Sequence, residues 1–458
     1  MEKNIIIIGA GLSGLISAYE LQKHGHSVHI LEADKRHIGG RVRTIRFSDG
    51  AYAEAGAMRI PTNHNLTRHY VNKFGLKLRP FIQHNQNAFS RIRGKVYRNF
   101  ENLDYSALFD LSSSSLGKNP NEIWNATIGK LVSELNKNEI IDLFNTKPKL
   151  KRTEYLDQFS LNSWLINSGA QDEDIQLLAS AWSMESSLNS ALTSHLRTHI
   201  NKTWINEFDE IVGGTDLLPN AIAKSLFNPV MQGCKASKIM QTSTGVSVSY
   251  EKNNQQKRIE GDLIICSLPL GPAREIEYLP PLSSRKWEAM RRVNYDSSVK
   301  ILAHSVRRFW EIDSEIYGGG SSDDDVLGSV WYPNDNLDRK SNISEMPSAF
   351  IASYTWGQQA RRIQNNMDGI RKALSRFHVN LASNPNDIMK LVPWSWDKFP
   401  YSKGAYAHFL PGEHSSLHSE LLNAEGRLHF AGEHTSLDHA WMQGALESAL
   451  RVVQEIQQ

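Results

Sequence analysis

Residues 5–32 read IIIIGAGLSGLISAYELQKHGHSVHILE. The four isoleucines Ile5 to Ile8 suit a short strand buried on both faces. Gly9-Ala10-Gly11-Leu12-Ser13-Gly14 follows as G-x-G-x-x-G, and Leu15, Ala18, Tyr19 and Leu21 then recur at helical spacing up to His24-Gly25-His26. A second strand, Ser27 to Leu31, closes on the acid Glu32. A bare G-x-G-x-x-G says little, but strand before, helix after and a carboxylate at the end of the second strand make a dinucleotide-binding fingerprint. Gly9 permits the tight turn, Gly11 lets backbone amides approach a pyrophosphate, and Gly14 allows helix and strand to pack closely. The pyrophosphate belongs at the positive end of the helix, with Glu32 accepting from an adenosine ribose.

The rest of the composition sets bounds. A chain of 458 residues is too long for one simple core, so two or three structural regions are expected. With 40% hydrophobic and 22% charged residues and a formal net charge of +2, it reads as an ordinary globular protein with no call for nucleic acid or an anionic membrane. Cys234 and Cys266 match no metal motif and cannot frame a disulfide scaffold, so no metal is expected and a reducing cytoplasm fits. Met1-Glu2-Lys3 and the apolar run after it imitate a signal peptide. Cleavage there would destroy the fingerprint, and no signal peptide or membrane span is read.

Further along, His37-Ile38-Gly39-Gly40-Arg41-Val42-Arg43-Thr44 pairs close backbone approach with cations, and Arg41 and Arg43 suit phosphate oxygens. In Glu54-Ala55-Gly56-Ala57-Met58-Arg59-Ile60-Pro61, Pro61 is expected to stop strand pairing. Thr62 or Asn63 then caps a helix bearing Leu66, Tyr70, Val71 and Phe74, which places Arg59 on a loop. From 101 to 204 glycine is scarce and helical spacing dominates, with Ser112 to Ser115 as a loop tip. Asp262–Cys266 and Leu428–Glu433 return to the buried-strand type of the opening, so the nucleotide sheet is expected to be assembled from separated segments. Asp323, Asp324 and Asp325 read as a solvated loop, since they lack a cation-ligand spacing.

Together these stretches resemble the flavin-containing amine oxidase family, and within it the L-amino-acid oxidase branch with its tryptophan-oxidase and tryptophan 2-monooxygenase relatives. The resemblance also covers Gly213-Gly214, Ser297-Ser298-Val299-Lys300, Lys403-Gly404-Ala405-Tyr406, Phe430 to Ser436 and Trp441-Met442-Gln443-Gly444-Ala445. It implies an α/β protein, α+β overall. Residues 1–60, 205–285 and 405–458 would form an FAD-binding domain, 61–100 and 286–404 a mixed-sheet substrate domain, and 101–204 a helical domain. The cofactor it implies is FAD, touched by Gly9, Gly11, Leu12, Ser13 and Gly14, by Glu32 and Ala33, by Gly40 and Arg41, and by Gly56, Ala57, Met58 and Arg59. Ala236 would meet adenine through its backbone, Gly432 and Glu433 the ribityl or phosphate region, and Ala440, Trp441 and Met442 the flavin. Covalently flavinylated monoamine oxidases carry cysteine where this chain has Ala405, so FAD is expected to be held noncovalently.

The same resemblance assigns the chemistry. Lys300 would hold a water near flavin N5, Tyr406 and Trp441 would flank the substrate, and Arg59 would grip an α-carboxylate as a bidentate pair. Tyr332 would be a second carboxylate contact, with Trp331 as the alternative if the register slips by one. The implied reaction is oxidative deamination of an L-amino acid by hydride transfer to flavin, giving a 2-oxo acid, ammonia and hydrogen peroxide, with O2 as acceptor. The tryptophan-rich C-terminal third favours a large or aromatic amino acid. The rivals are a monoamine or polyamine oxidase, an amino-acid 2-monooxygenase giving an amide, and a non-catalytic flavin-fold scaffold. A homodimer is the default assembly.

Overall fold

The computed structural model describes residues 2–99, 101, 103–363 and 366–458. The three buried-strand stretches singled out in the sequence become neighbours in one five-stranded parallel sheet. Its order is Met231–Gln232, Ser27–Glu32, Asn4–Ile8, Leu263–Cys266 and Leu428–Phe430. The isoleucine run is buried because both faces of that sheet are covered. Ile5 and Ile7 point into a cluster with Leu15 and Leu21 of the helix Leu12–Lys23 and Leu446 and Val452 of the helix Met442–Gln457. Ile6 and Ile8 point the other way, among Ile239, Val248 and Tyr250 of an antiparallel layer. A β-carbon on Gly14 would lie 2.1 Å from the Gly9 carbonyl oxygen, so no side chain fits between helix and strand.

A seven-stranded, mostly antiparallel sheet forms the second layer, ordered Ile388–Ser395, Ser298–Ser305, Ser348–Trp356, Gly328–Trp331, Gly320–Asp323, Phe89–Ile92 and Lys95–Arg98. Ser298–Ser305 lies inside it and is buried at every position. Val299, Ile301 and Ala303 enter one core, while Leu302 packs on the opposite face near Ala53 and Ala55. Both faces of this strand are therefore covered.

Residues 120–200 contain short helices, among them Pro120–Trp124, Lys137–Leu143 and Asp172–Trp182, around a separate cluster of Ile123, Ile128, Leu131, Leu177 and Leu178. Capping boxes at Asn119/Glu122 and Asn136/Glu139 let such short helices start cleanly.

Several local expectations are corrected. Ile60–Pro61 does pair, as a two-residue edge strand against Phe208–Asp209, where proline's missing N–H is tolerated. The following helix starts after His64 rather than Thr62 or Asn63, with no side-chain cap. The Ser112 to Ser115 tract is a turn with Ser113 and Ser114 exposed as expected, but Ser112 and Ser115 are buried and the Ser112 amide donates to Asp174. Asp323 is buried as well. Its carboxylate accepts from Arg91 and from the amides of Val326 and Leu327, which ties a β-turn rather than facing solvent.

Candidate active site

One cavity of about 1390 Å³ runs from the first helix to the helical insertion. At its inner end lie Gly9, Gly11, Leu12 and Ser13, where the helix Leu12–Lys23 begins with no side-chain cap on its free amides. Those amides are the donors an anion needs. Glu32 and Ala33 line the same end, and Ala236 faces them from the strand Lys235–Gln241. Each oxygen of Glu32 already accepts a backbone N–H, from Ala10 at 2.8 Å and Asp34 at 2.7 Å, which fixes the carboxylate while leaving lone pairs for a ribose. Burial pushes its pKa up against the pull of those two amides.

Gly40 and Arg41 form the next section of wall. The Arg41 guanidinium donates to Glu433 at 2.7 Å and to the Ala405 carbonyl at 3.1 Å. Burial opposes the ionised form of Glu433, but Arg41, His439 and His434 outweigh it and hold its pKa below the usual carboxylate range. Ala407 and Ala440 also donate backbone N–H groups to Glu433. Ala440 reaches this position with φ of 67°, a left-handed conformation uncommon for alanine. Trp441 and Met442 then open the helix Met442–Gln457, whose N-terminus is again uncapped and again faces the cavity.

The middle of the cavity is built by Gly56, Ala57, Met58, Arg59 and Lys300. A β-carbon on Gly56 would stand 1.9 Å from the Arg41 carbonyl oxygen, so this passage exists only with glycine. The Lys300 Nζ donates to the Gly56 carbonyl at 2.7 Å and the Glu54 carbonyl at 3.1 Å, and sits 3.3 Å from the Met58 sulfur. Burial takes its pKa down to about 7, against the pull of Glu54. The Tyr406 hydroxyl donates to Asp296 at 2.9 Å. Burial and then Asp296 drive its pKa well above the ordinary tyrosine value, so the ring stays neutral.

Arg59 is the unusual group. Its one side-chain hydrogen-bond partner among the described residues is Gln83, at 2.8 Å, and no carboxylate there pairs with it. Its guanidinium instead lies against the rings of Trp331 at 4.8 Å, Trp204 at 5.0 Å, Phe208 at 5.5 Å and Phe81 at 5.7 Å. Burial lowers its pKa to about 10, which leaves it fully charged near neutrality.

Four predicted residues stand back from the cavity. Tyr332 is buried on the far side of its sheet, bonded to His378 at 2.8 Å and Ser321 at 3.0 Å, while its neighbour Trp331 lines the cavity. Adjacent residues leaving a strand point to opposite faces, so Trp331 takes the position expected of Tyr332. Gly14 and Gly432 lie behind the wall, where a β-carbon would strike the Gly9 carbonyl and His434. Arg43 likewise stands off the cavity, paired with Asp34 at 2.7 Å and stacked on Trp394. Sequence reasoning also missed the insertion's share of the lining, including Trp124, Trp182, His199 and Trp204. Helical periodicity reports a helix's buried face and gives no sign that its other side borders a shared cavity.

The model of the flavin containing amine oxidoreductase family matches residues 12–457. The chain belongs to that family. This flavoenzyme is 32% identical to the L-amino-acid oxidase of Siganus canaliculatus over 467 aligned positions, covering 99% of the chain and 85% of that protein. It is 33% identical to the putative L-amino-acid oxidase YobN of Bacillus subtilis, again over 99% of the chain and 94% of that protein. Putrescine oxidase with bound putrescine superposes with a TM-score of 0.78 at 19% identity, covering 100% of this chain and 99% of that one. Cyclohexylamine oxidase from Brevibacterium oxydans superposes with a TM-score of 0.76 at 18% identity over the full length of both chains. The flavoenzyme is therefore an α/β oxidoreductase whose cofactor is FAD. Its residues fit that cofactor: two uncapped helix N-termini, the fixed Glu32 carboxylate and the Gly56 cradle all border one cavity long enough to continue past them. Ala405 offers no sulfur for a thioether, consistent with noncovalent attachment. Among the described residues no helix is long and apolar enough to cross a membrane.

Proposed function

We propose that the enzyme oxidises an L-amino acid to the imino acid, which water hydrolyses to the 2-oxo acid and ammonia, with O2 leaving as hydrogen peroxide. The observation that carries this is Arg59, a charged guanidinium in the cavity wall with no acidic partner among the described residues. A half-buried cation with no acidic partner is poorly compensated, and a carboxylate on the substrate supplies the missing partner with two parallel hydrogen bonds. A simple amine, protonated in water, would meet repulsion at the same place. Relatives named L-amino-acid oxidase support the reading.

Bound FAD supplies the electron acceptor for the α-hydrogen. The chain supplies the rest. Arg59 with Gln83 orients the carboxylate end, and Tyr406 and Trp441 wall the reacting end and exclude water. Lys300 donates to the Glu54 and Gly56 carbonyls and abuts the Met58 sulfur, so as the neutral amine it keeps a lone pair to accept from a water at the cavity face. A pKa near 7 lets that amine take or give a proton as the neutral amine of the substrate forms the imine. A large or aromatic side chain suits the aromatic lining around Trp331, Trp204 and Trp356. We further place the enzyme in a reducing cytoplasm, because Cys234 and Cys266 are both buried free thiols, and take a homodimer as the working assembly.

The test is a peroxide-coupled screen of L-amino acids and amines with ammonia measured in parallel. Peroxide with ammonia from amino acids is expected, and Arg59→Leu should retain FAD while KM rises at least about a hundredfold, the scale of a lost charge-assisted pair. Peroxide from amines alone would replace the reading with an amine oxidase. An amide product would replace it with a monooxygenase.

A further inference from the structure

Arg59 is held in place almost entirely by aromatic rings, and those rings are not equivalent. Phe81 and Phe208 are buried in a three-stranded sheet, and the Trp331 indole N–H donates to Ser329 at 2.9 Å. Among the described residues Trp204 has no such anchor. It lies in the turn between the helix Leu192–Ile200 and the strand Phe208–Ile211, is 49% exposed, and is followed by Ile205 at 75%. Its ring is nevertheless 5.0 Å from the Arg59 guanidinium, 5.6 Å from the Trp441 ring and 6.1 Å from Phe208. It thus touches both the group expected to hold the carboxylate and a wall of the reacting end.

We propose that Trp204 is a positioning residue of the carboxylate subsite, holding the Arg59 guanidinium under its indole and thereby setting affinity for the substrate's α-carboxylate. The proposal rests on the reading of Arg59 given above. An aromatic face attracts a guanidinium without neutralising it. A carboxylate at position 204 would hold Arg59 equally well but would consume the N–H donors the substrate needs. With Gln83 taking one donor and rings bounding the cation, the remaining donors stay oriented and free. The helical insertion thereby contributes to the recognition of one end of the substrate.

The test uses the FAD-loaded holoenzyme and two probes of nearly equal shape, benzoate and its neutral analogue benzamide, titrated by calorimetry. Trp204→Leu should weaken benzoate about fivefold, the scale of a cation–π contact to a half-exposed ring. Benzamide should weaken less than about twofold, and Trp204→Phe should recover most of the benzoate affinity, since phenylalanine also presents a π face. In turnover, KM for the amino acid should rise in the leucine variant while kcat and the FAD-to-protein ratio hold. Equal losses for the two probes, or benzoate affinity unchanged in Trp204→Leu, overturn the proposal. Arg59→Leu separates the underlying reading: if that variant binds benzoate as the wild type does, Arg59 is not the carboxylate group and both readings fall.

Discussion

Lys300 makes a prediction that needs no turnover measurement. Burial moves its pKa from 10.5 to about 7, so the folded chain releases a proton that the unfolded chain keeps anywhere between those values. More protons on the unfolded chain means that stability rises with pH across the window from about 7 to 10.5. At roughly 1.4 kcal/mol per pH unit the full window is worth at most about 5 kcal/mol, of which the stretch from pH 7 to 9.5 contains about 3 kcal/mol. Glu54 works in the other direction and elsewhere: burial raises its carboxyl from 4.5 to about 7, so the folded chain holds the extra proton and stability falls with pH in that lower window. Lys300→Met removes the upper window. It also deprives Glu54 of its cationic neighbour, which moves the lower window further up, so both changes have the same sign above pH 7. Urea unfolding of wild type and Lys300→Met, each saturated with FAD, should show a stability difference that widens steadily in favour of the wild type from pH 7 to 9.5. Curves that stay parallel over that range would refute the placement of Lys300 as a buried amine on two carbonyls.

Gly56→Ala should abolish FAD retention and lower the unfolding midpoint, because its β-carbon would stand 1.9 Å from the Arg41 carbonyl and a backbone passage must shift; absorbance near 450 nm per protein after gel filtration reports it. Glu433→Gln should weaken FAD binding, read by recovery of free-flavin fluorescence on dilution, since it leaves Arg41 without its charged partner at 2.7 Å. Tyr332→Phe should cost about 1 kcal/mol of stability by freeing His378, with KM unchanged, whereas Trp331→Leu should raise KM. Acid precipitation should leave the yellow chromophore in the supernatant, given alanine at position 405.

Much of the architecture was legible in advance because it depends on local rules. The isoleucine run, the three glycines after it and the acid Glu32 dictate a strand, a turn, a helix and a second strand by sterics and periodicity alone. The later motifs named the cofactor through resemblance. The misreadings share a cause, which is that a side chain's direction or neighbour depends on which other segment packs there. Period-two alternation marks Tyr332 and Trp331 as pointing to opposite faces, yet only the position of the seven-stranded sheet says which face borders the cavity. Asp323 looked solvated because its partners, Arg91 and the amides of Val326 and Leu327, form only when the turn closes.

The sequence by itself therefore determined the dinucleotide-binding opening, the scarcity of breakers in the helical insertion and the residue types available for chemistry. Tertiary structure alone decided which of Arg41, Arg43 and Arg59 is left without an acid among the described residues. Arg41 and Arg43 both found carboxylates, Glu433 and Asp34, while Arg59 was left among aromatic rings. Charge pairing in a folded chain is settled by distances between segments remote in sequence, and Glu433 lies 392 residues from the arginine it neutralises.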